Sequence, residues 1–139
     1  MHIESITVAQ SSPGNPTGTT SATAVMMGLA GSIKLQGSGR ILIMLSGDIS
    51  NDTTADGATC RLRYGTGAAP ANAAAATGTA VGNTVSFTAL TGVLTVPFAQ
   101  QVVVSGLTVG TTYWVDAAVA AVTAGTASIS NLSLSVVEL

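Results

Sequence analysis

The side chains that could perform acid–base or nucleophilic chemistry are few, because the chain has one histidine, His2, and one cysteine, Cys60. His2 follows the first methionine in a segment that we expect to be flexible, where nothing would orient it as the base of a Ser-His-Asp triad. Cys60 alternates with polar residues and shares a strand face with Leu62 and Tyr64, which predicts a buried thiol with no histidine to activate it. The sequence therefore predicts no nucleophilic catalysis.

Three aspartates, Asp48, Asp52 and Asp56, stand close to Asn51 in a predicted loop. Calcium favours oxygen-rich loops of this kind. The spacing of four residues differs from the alternate-residue pattern of an EF-hand, and no glutamate follows to complete such a site. Since Asp and Asn in loops more often bond to their own backbone, we predict no metal site and no cofactor. The three aspartates are the only candidates for a metal ligand.

Charged residues make up 7% of the sequence, against about a quarter in an average soluble domain. The six acidic residues are scattered in predicted loops and chain ends, so we expect no facing pair of carboxylates for glycoside hydrolysis. A net charge of −2 gives no field that would attract nucleic acid or an anionic membrane. We predict that the chain is not an enzyme, binds neither nucleic acid nor membrane, and packs against other protein surfaces.

The start of the chain, Met1-His2-Ile3-Glu4, lacks the basic residues and apolar core of a signal peptide. No apolar run approaches the ~18 residues of a membrane helix. The high mean hydropathy of +0.55 is therefore expected to reflect buried protein surface.

Short apolar segments separated by glycine and asparagine turns predict about eight strands. Their spacing of about 8–12 residues is typical of an all-β sandwich, and we predict a jelly-roll-like antiparallel β-sandwich, with an immunoglobulin-like sandwich as the alternative. The alanine-rich stretch 68–76 is the single helix candidate. The strands are expected at residues 22–30, 32–36, 40–49, 58–65, 83–90, 93–104, 111–122 and 126–138.

Two of these segments, residues 41–45 and 102–104, are apolar at every position. Such strands are usually covered on both faces, which suits the middle of a sandwich or a subunit interface. We expect Leu42, and also Trp114 with its neighbouring strand residues, to lie in the core.

Residues 10–20 contain two prolines and two glycines among small polar residues, a composition that cannot pack a core. We predict a flexible or extended N-terminal arm over residues 1–20 and a sandwich domain over residues 21–139. Ile3, Ile6 and Val8 are candidate contacts of this arm with a neighbouring protein, because an extended segment can pair with a sheet edge.

Arg61 and Arg63 share one face of their strand. Sparse charges in sheets often form cross-strand or inter-subunit salt bridges, for which Asp116 is a possible partner. Alternatively, the two arginines dock on an acidic partner surface, and both are candidate interface residues. The sequence leaves these two interpretations open.

Three segments carry a family resemblance: Arg61 to Asn72 (RLRYGTGAAPAN), Val104 to Asp116 (VSGLTVGTTYWVD) and Ser133 to Leu139 (SLSVVEL). Together they resemble the jelly-roll cement, or decoration, proteins of tailed bacteriophage heads. The resemblance implies a protein without catalytic residues that sits on the outer capsid surface of the virion. It further implies synthesis in the host bacterial cytoplasm, self-association as a homodimer or homotrimer, and clamping of neighbouring major capsid protein subunits.

Similar sequences occur in head fibres and tail-associated modules, so a binding module that recognises host glycans is the alternative function. Glycan sites usually need exposed aromatic rings with polar neighbours. Tyr64, Tyr113 and Trp114 lie instead in segments that we predict to be core.

Overall fold

The structure is a computed structural model, and it describes residues 8–139. This part of the chain contains nine strands and no helix, so none of its elements is a helix long and apolar enough to cross a membrane. The strands are β1 (Val8–Ser11), β2 (Val25–Met26), β3 (Gly31–Lys34), β4 (Ile41–Asn51), β5 (Gly57–Thr66), β6 (Thr79–Thr88), β7 (Thr95–Val104), β8 (Thr112–Val122) and β9 (Ala127–Glu138).

The strands form two antiparallel sheets that pack face to face. The first sheet has the order β1-β9-β4-β7, and the second has the order β2-β8-β5-β6, with β3 also paired to β8. The predicted all-β sandwich is therefore confirmed.

Alternation along the strands of the first sheet determines which side chains fill the core. In β9, Ile129, Leu134 and Val136 point inward and are buried, while the intervening serines point away from the core. In β4, Ile41, Ile43 and Leu45 alternate in the same way with half-buried neighbours. This period of two is the pattern expected of a strand with one covered face.

Strand β8 differs because it is buried on both faces from Tyr113 to Ala121. Its inward side chains join the main core, and its outward Trp114 and Ala118 form a second small cluster with Met26. The indole N–H donates to the carbonyl oxygen of Thr66. Residues from β2 and from the segment after β5 therefore form a partial third layer over the second sheet.

Close approach of backbone to the Trp114 ring requires glycine at two positions. A Cβ atom at Gly65, the cross-strand neighbour of Trp114, would lie 2.5 Å from the ring. A Cβ atom at Gly78 would also lie 2.5 Å from the ring, and Gly78 has a φ of +74°. Both glycines thus permit the indole to lie close to neighbouring backbone.

Asp116, the next outward residue of β8, is fully buried. Its carboxylate accepts hydrogen bonds from the N–H groups of Gly28 (2.9 Å), Leu29 (3.0 Å) and Ala117 (2.7 Å). Burial raises the pKa of Asp116 above its ordinary value, although these N–H groups act in the opposite direction by favouring the charged form. Asp116 therefore holds the segment between β2 and β3 against β8.

The predicted helix at residues 68–76 is wrong. Ala73 has a φ of +74°, and its N–H donates to the carbonyl oxygen of Met26 at 2.8 Å. The N–H of Met26 donates in turn to the carbonyl oxygen of Ala74 at 2.8 Å. The alanines pair with β2 instead of forming a helix, because a short helix gains less than this tertiary pairing provides.

Residues 41–45 and 102–104 are not covered on both faces within this chain, so the middle of a sandwich is wrong for them, and the subunit interface stays a prediction. Leu42 and Met44 are only half-buried, and Val103 is 55% exposed. These side chains lie on the side of the first sheet that faces away from the core, so Leu42 is not a core residue.

The segment that precedes β2 contacts the sandwich at several points. Strand β1 pairs with β9 through Val8 to Ser11. Further along, the side chain of Asn72 accepts from the N–H of Thr17 at 2.7 Å, and Thr19 pairs with Ala127. Ile3 and Ile6, like His2, lie outside the described residues.

Replacing Trp114 by alanine tests the third layer. Loss of this ring should lower the free energy of unfolding by about 3–5 kcal/mol, because it leaves a large cavity in a buried cluster. Val103→Ala is the control and should cost less than about 1 kcal/mol, since surface substitutions are usually small in effect. Urea denaturation measures both, and a Trp114→Ala cost as small as that of the control would contradict the packing.

The raised pKa of Asp116 predicts the pH dependence of its contribution to stability. Asp116 contributes most to the free energy of unfolding at pH values below its ordinary pKa of 3.8. This contribution is lost as the pH rises through the higher pKa of the native state. The unfolding free energy of the wild type minus that of Asp116→Ala should therefore fall with rising pH in that window.

Asp52 provides a control of opposite sign. The backbone N–H of Thr126 and the side chain of Thr53 lower the pKa of this exposed carboxylate, so its contribution is present above 3.8 and is lost as pH falls through the native pKa. Urea denaturation across this pH range measures both differences. If the unfolding free energy of the wild type minus that of Asp116→Ala rises with pH, the raised pKa of Asp116 is wrong.

Candidate functional site

The outward side of the first sheet, which we call the open face, is not covered by any other strand of the described chain. Cross-strand pairing arranges its central residues in three rows. The first row is Val137, Leu42 and Val103; the second is Ser135, Met44 and Gln101; the third is Ser133, Ser46 and Ala99. None of these nine residues carries a charge. The first row is apolar, the second combines a thioether with amide and hydroxyl groups, and the third consists of small side chains.

A shallow groove of about 540 Å³ crosses the second and third rows. Its lining includes Met44, Ser46, Gln101 and Ser135. The groove offers neutral hydrogen-bonding groups and one flexible apolar side chain, and no ionisable side chain lines it. The groove can therefore form neutral hydrogen bonds and apolar contacts.

Charges border the open face at its two ends. Arg40 immediately precedes β4 and is exposed. Asp48 lies in β4 beyond the third row, and its carboxylate accepts a hydrogen bond from the side-chain amide of Asn131 at 2.8 Å. Strand alternation places Arg40 and Asp48 on the same side of the sheet as Leu42.

The two arginines proposed as interface residues have different environments. Arg61 is exposed on the outward side of the second sheet, opposite Ala118 of β8. Arg63 is half-buried, and its guanidinium donates to the carbonyl oxygens of Thr77 (2.8 Å) and Gly78 (3.2 Å). Arg63 thereby holds the segment that covers Trp114, and Arg61 is the more accessible of the pair.

Asp116 is the cross-strand neighbour of Arg63, as the salt-bridge interpretation requires. The hydrogen bonds of each group nevertheless go to backbone atoms: N–H groups around the carboxylate and carbonyl oxygens around the guanidinium. Both side chains therefore hold loop backbone against this part of the sheet.

The three aspartates considered as metal ligands bond to different parts of the protein. Asp48 contacts Asn131, and Asp52 accepts from the N–H of Thr126 at 2.8 Å and from the hydroxyl of Thr53 at 3.0 Å. Asp56 is buried. Within residues 8–139, no group of three His, Cys, Asp or Glu side chains has the proximity that a metal ion needs.

Cys60 lies in the core with 0% exposure. Burial raises the pKa of its thiol to about 12, and the nearby charge of Asp116 adds to this shift. A thiol with this pKa is protonated at neutral pH and is a poor nucleophile.

The aromatic rings do not form an exposed platform in the described part of the chain. Trp114 and Tyr113 are buried, and Tyr64 is half-buried with its ring centroid 6.0 Å from that of Tyr113. The Tyr113 hydroxyl also accepts a hydrogen bond from the N–H of Thr108. These rings hold the sandwich together.

Sequence analysis missed the structural role of Glu138. Its buried carboxylate accepts from the N–H groups of Gln36 (2.7 Å), Gly37 (2.7 Å) and Ser38 (2.6 Å). The turn Gly37-Ser38-Gly39 signals only a loop, and nothing local indicates that an acid about one hundred residues later would bind it. The open face was missed for a similar reason, although the alternating serines of β9 mark its polar side.

No protein-family model and no curated protein matches this chain. Solved structures do match it. The structure of the TNF protein Eiger from S. frugiperda aligns with 98% of this chain and 94% of that chain, at 11% identity and a TM-score of 0.50. The structure of infectious bursal disease virus, Gx strain, aligns with 96% of this chain at 14% identity and a TM-score of 0.55.

The present chain corresponds to 33% of the viral chain. At these identities the matches establish the fold and leave function open. Both solved structures are similar to this chain over nearly its whole length, and they confirm the predicted jelly-roll-like sandwich.

Proposed function

We propose that this chain is a virion structural protein: a cement protein that binds the outer surface of a tailed-phage head and clamps neighbouring major capsid subunits. In this proposal the protein is not an enzyme, works without a cofactor, and associates with further copies of itself. One observation carries the proposal. The sheet face that the described chain exposes consists of small hydroxyl, amide and apolar side chains, whereas Asp52, Asp116 and Glu138 bind backbone N–H groups.

Such a distribution suits a protein that works through extended contacts. Permanent assemblies bury about 2,000 Å² or more and are more apolar than transient ones. Serine, alanine and valine lose little side-chain entropy when they become ordered at an interface. The fold shared with a chain of infectious bursal disease virus adds support, since that match is to the structure of a virus.

Arg61 is our candidate for the capsid contact, because it is an exposed cation on the outward side of the second sheet. In this arrangement the outward side of the second sheet contacts the capsid, and the open face of the first sheet remains available to further copies. An exposed arginine whose cross-strand neighbour is the small Ala118 can reach an acidic group on the partner.

Co-sedimentation with empty heads of the cognate phage tests the function. We expect the wild-type protein to pellet only with heads and Arg61→Glu to bind at least about tenfold more weakly, because juxtaposed like charges cost several kcal/mol. Arg61→Lys is the control, because it keeps a positive charge at the same position, and should bind like the wild type. Failure of the wild type to pellet with heads would overturn the proposal. Binding of host glycans without binding of heads would favour a fibre or tail module instead.

Ile3, Ile6 and Val8 stay candidate contacts of the N-terminal segment with a neighbouring subunit. Deleting residues 2–7, which precede β1, should weaken head binding by about tenfold or more, since a pairing segment contributes both hydrogen bonds and apolar contacts. Urea denaturation of the deletion variant separates a lost head contact from a lost fold. Unchanged binding to heads would remove Ile3 and Ile6 from the interface.

A further inference from the structure

We infer that the open face is the surface through which two copies of this chain associate, about a two-fold axis that passes through Met44. In this dimer the sheets pack face to face, and each strand lies over its own copy in the opposite direction. The inference deepens the self-association within the proposed function and rests on it, but it does not depend on attachment to the capsid.

The charges at the ends of the open face support this symmetry. Met44 is midway between Arg40 and Asp48 along β4, and about 13 Å separates it from each at the rise of an extended strand. A two-fold axis through Met44 and across the strands therefore places Arg40 opposite the partner's Asp48, and Asp48 opposite the partner's Arg40. The same operation never brings two like charges of these residues together.

The rows are also complementary in size under this operation. The first row, with Val137, Leu42 and Val103, meets the partner's third row, in which Ser133, Ser46 and Ala99 are small. Large side chains then fill the space above small ones, which is how packed sheets interdigitate. The exposure of Val103, at 55%, gives the apolar row the most to gain from burial.

The second row lies on the two-fold axis, so it contacts the second row of the partner. Gln101 and Ser135 flank Met44 in this row, and amide and hydroxyl groups both donate and accept hydrogen bonds. Each can therefore pair with its own copy, which an isologous contact requires and which a carboxylate or ammonium would prevent. Met44 is flexible enough to fill the groove that crosses this row in the partner.

The area of the open face limits the affinity that we expect between two copies. Three strands about 4.8 Å apart over about 26 Å, with the four residues of β1 beside part of β9, give roughly 430 Å² for each copy. The total of roughly 900 Å² lies just below the usual lower limit for a specific interface. We therefore expect a dimer whose population depends on protein concentration.

Sedimentation velocity of the purified full chain, from about 1 μM to about 1 mM, tests the inference. The wild-type mass should rise with concentration from 13.6 kDa towards twice that value. Met44→Arg places two cations at the axis and should remain monomeric. Arg40→Asp and Asp48→Arg should each weaken the dimer at least about tenfold, because each replaces both ion pairs with like-charge contacts.

The double variant Arg40→Asp/Asp48→Arg decides between this geometry and a general loss of stability. It recreates both ion pairs with exchanged partners and should restore the dissociation constant to within about threefold of the wild type. Arg61→Glu is the control and should dimerise normally. Thermal melting of each variant verifies that it is folded.

Three results would overturn the inference: a wild-type monomer throughout this range, a trimer, or a dimer that Met44→Arg leaves unchanged. A double variant no better than either single variant would do so as well. Because the measurement uses purified protein without heads, a negative result here leaves the capsid contact of Arg61 intact, and loss of head binding leaves the dimer intact.

Discussion

The burial of β8 on both faces is the constraint on which the second half of the sandwich depends. A two-layer fold normally covers only the inner face of each sheet, so further chain must cover the outward side of β8. Asp116 meets this requirement by binding the N–H groups of Gly28 and Leu29, which brings the segment after β2 onto the strand. Trp114 meets it by packing with Met26 and Ala118. Both contacts join parts of the chain that lie far apart in the sequence.

Asp52, Asp116 and Glu138 bind backbone N–H groups in loops. Few other charged side chains remain for contacts with other molecules. Glu138 binds the turn after β3, and Asp52 binds the N–H of Thr126 beside β9. Hydrogen bonds from N–H groups to carboxylates are stronger than those between neutral groups, so a few acids can fix loops that lack apolar side chains. The open face is neutral as a consequence, and a neutral face can pack against protein without the cost of desolvating charges.

Much of the fold could be predicted from sequence, because strand lengths here are set by local features. Glycine turns and alternating apolar residues placed β4, β5, β8 and β9 to within about two residues. The helix expected at residues 68–76 failed because alanine content measures intrinsic propensity, while pairing with β2 is a tertiary contact. Residue patterns show which side chains share a face but not what covers that face. For this reason the exposure of Val103 and the half-burial of Leu42 could not be foreseen.

The candidate surfaces were predictable only in part. Arg61 and Arg63 were recognised as a pair on one strand face, yet the structure assigns Arg63 to the carbonyl oxygens of Thr77 and Gly78. That difference depends on the path of a loop, which no local pattern specifies. The symmetry of Arg40 and Asp48 about Met44 is present in the sequence, but it has meaning only once β4 is known to be a central strand with one uncovered side.

The buried thiol of Cys60 has a consequence for any assembly built from many copies. Crowded free thiols on adjacent subunits oxidise to disulfides, which lock misplaced contacts and make particles heterogeneous. A thiol with a pKa of about 12 inside the core is neither ionised at neutral pH nor within reach of another copy. In the proposed assembly Cys60 therefore forms no disulfide between copies, and thiol oxidation does not make their contacts irreversible.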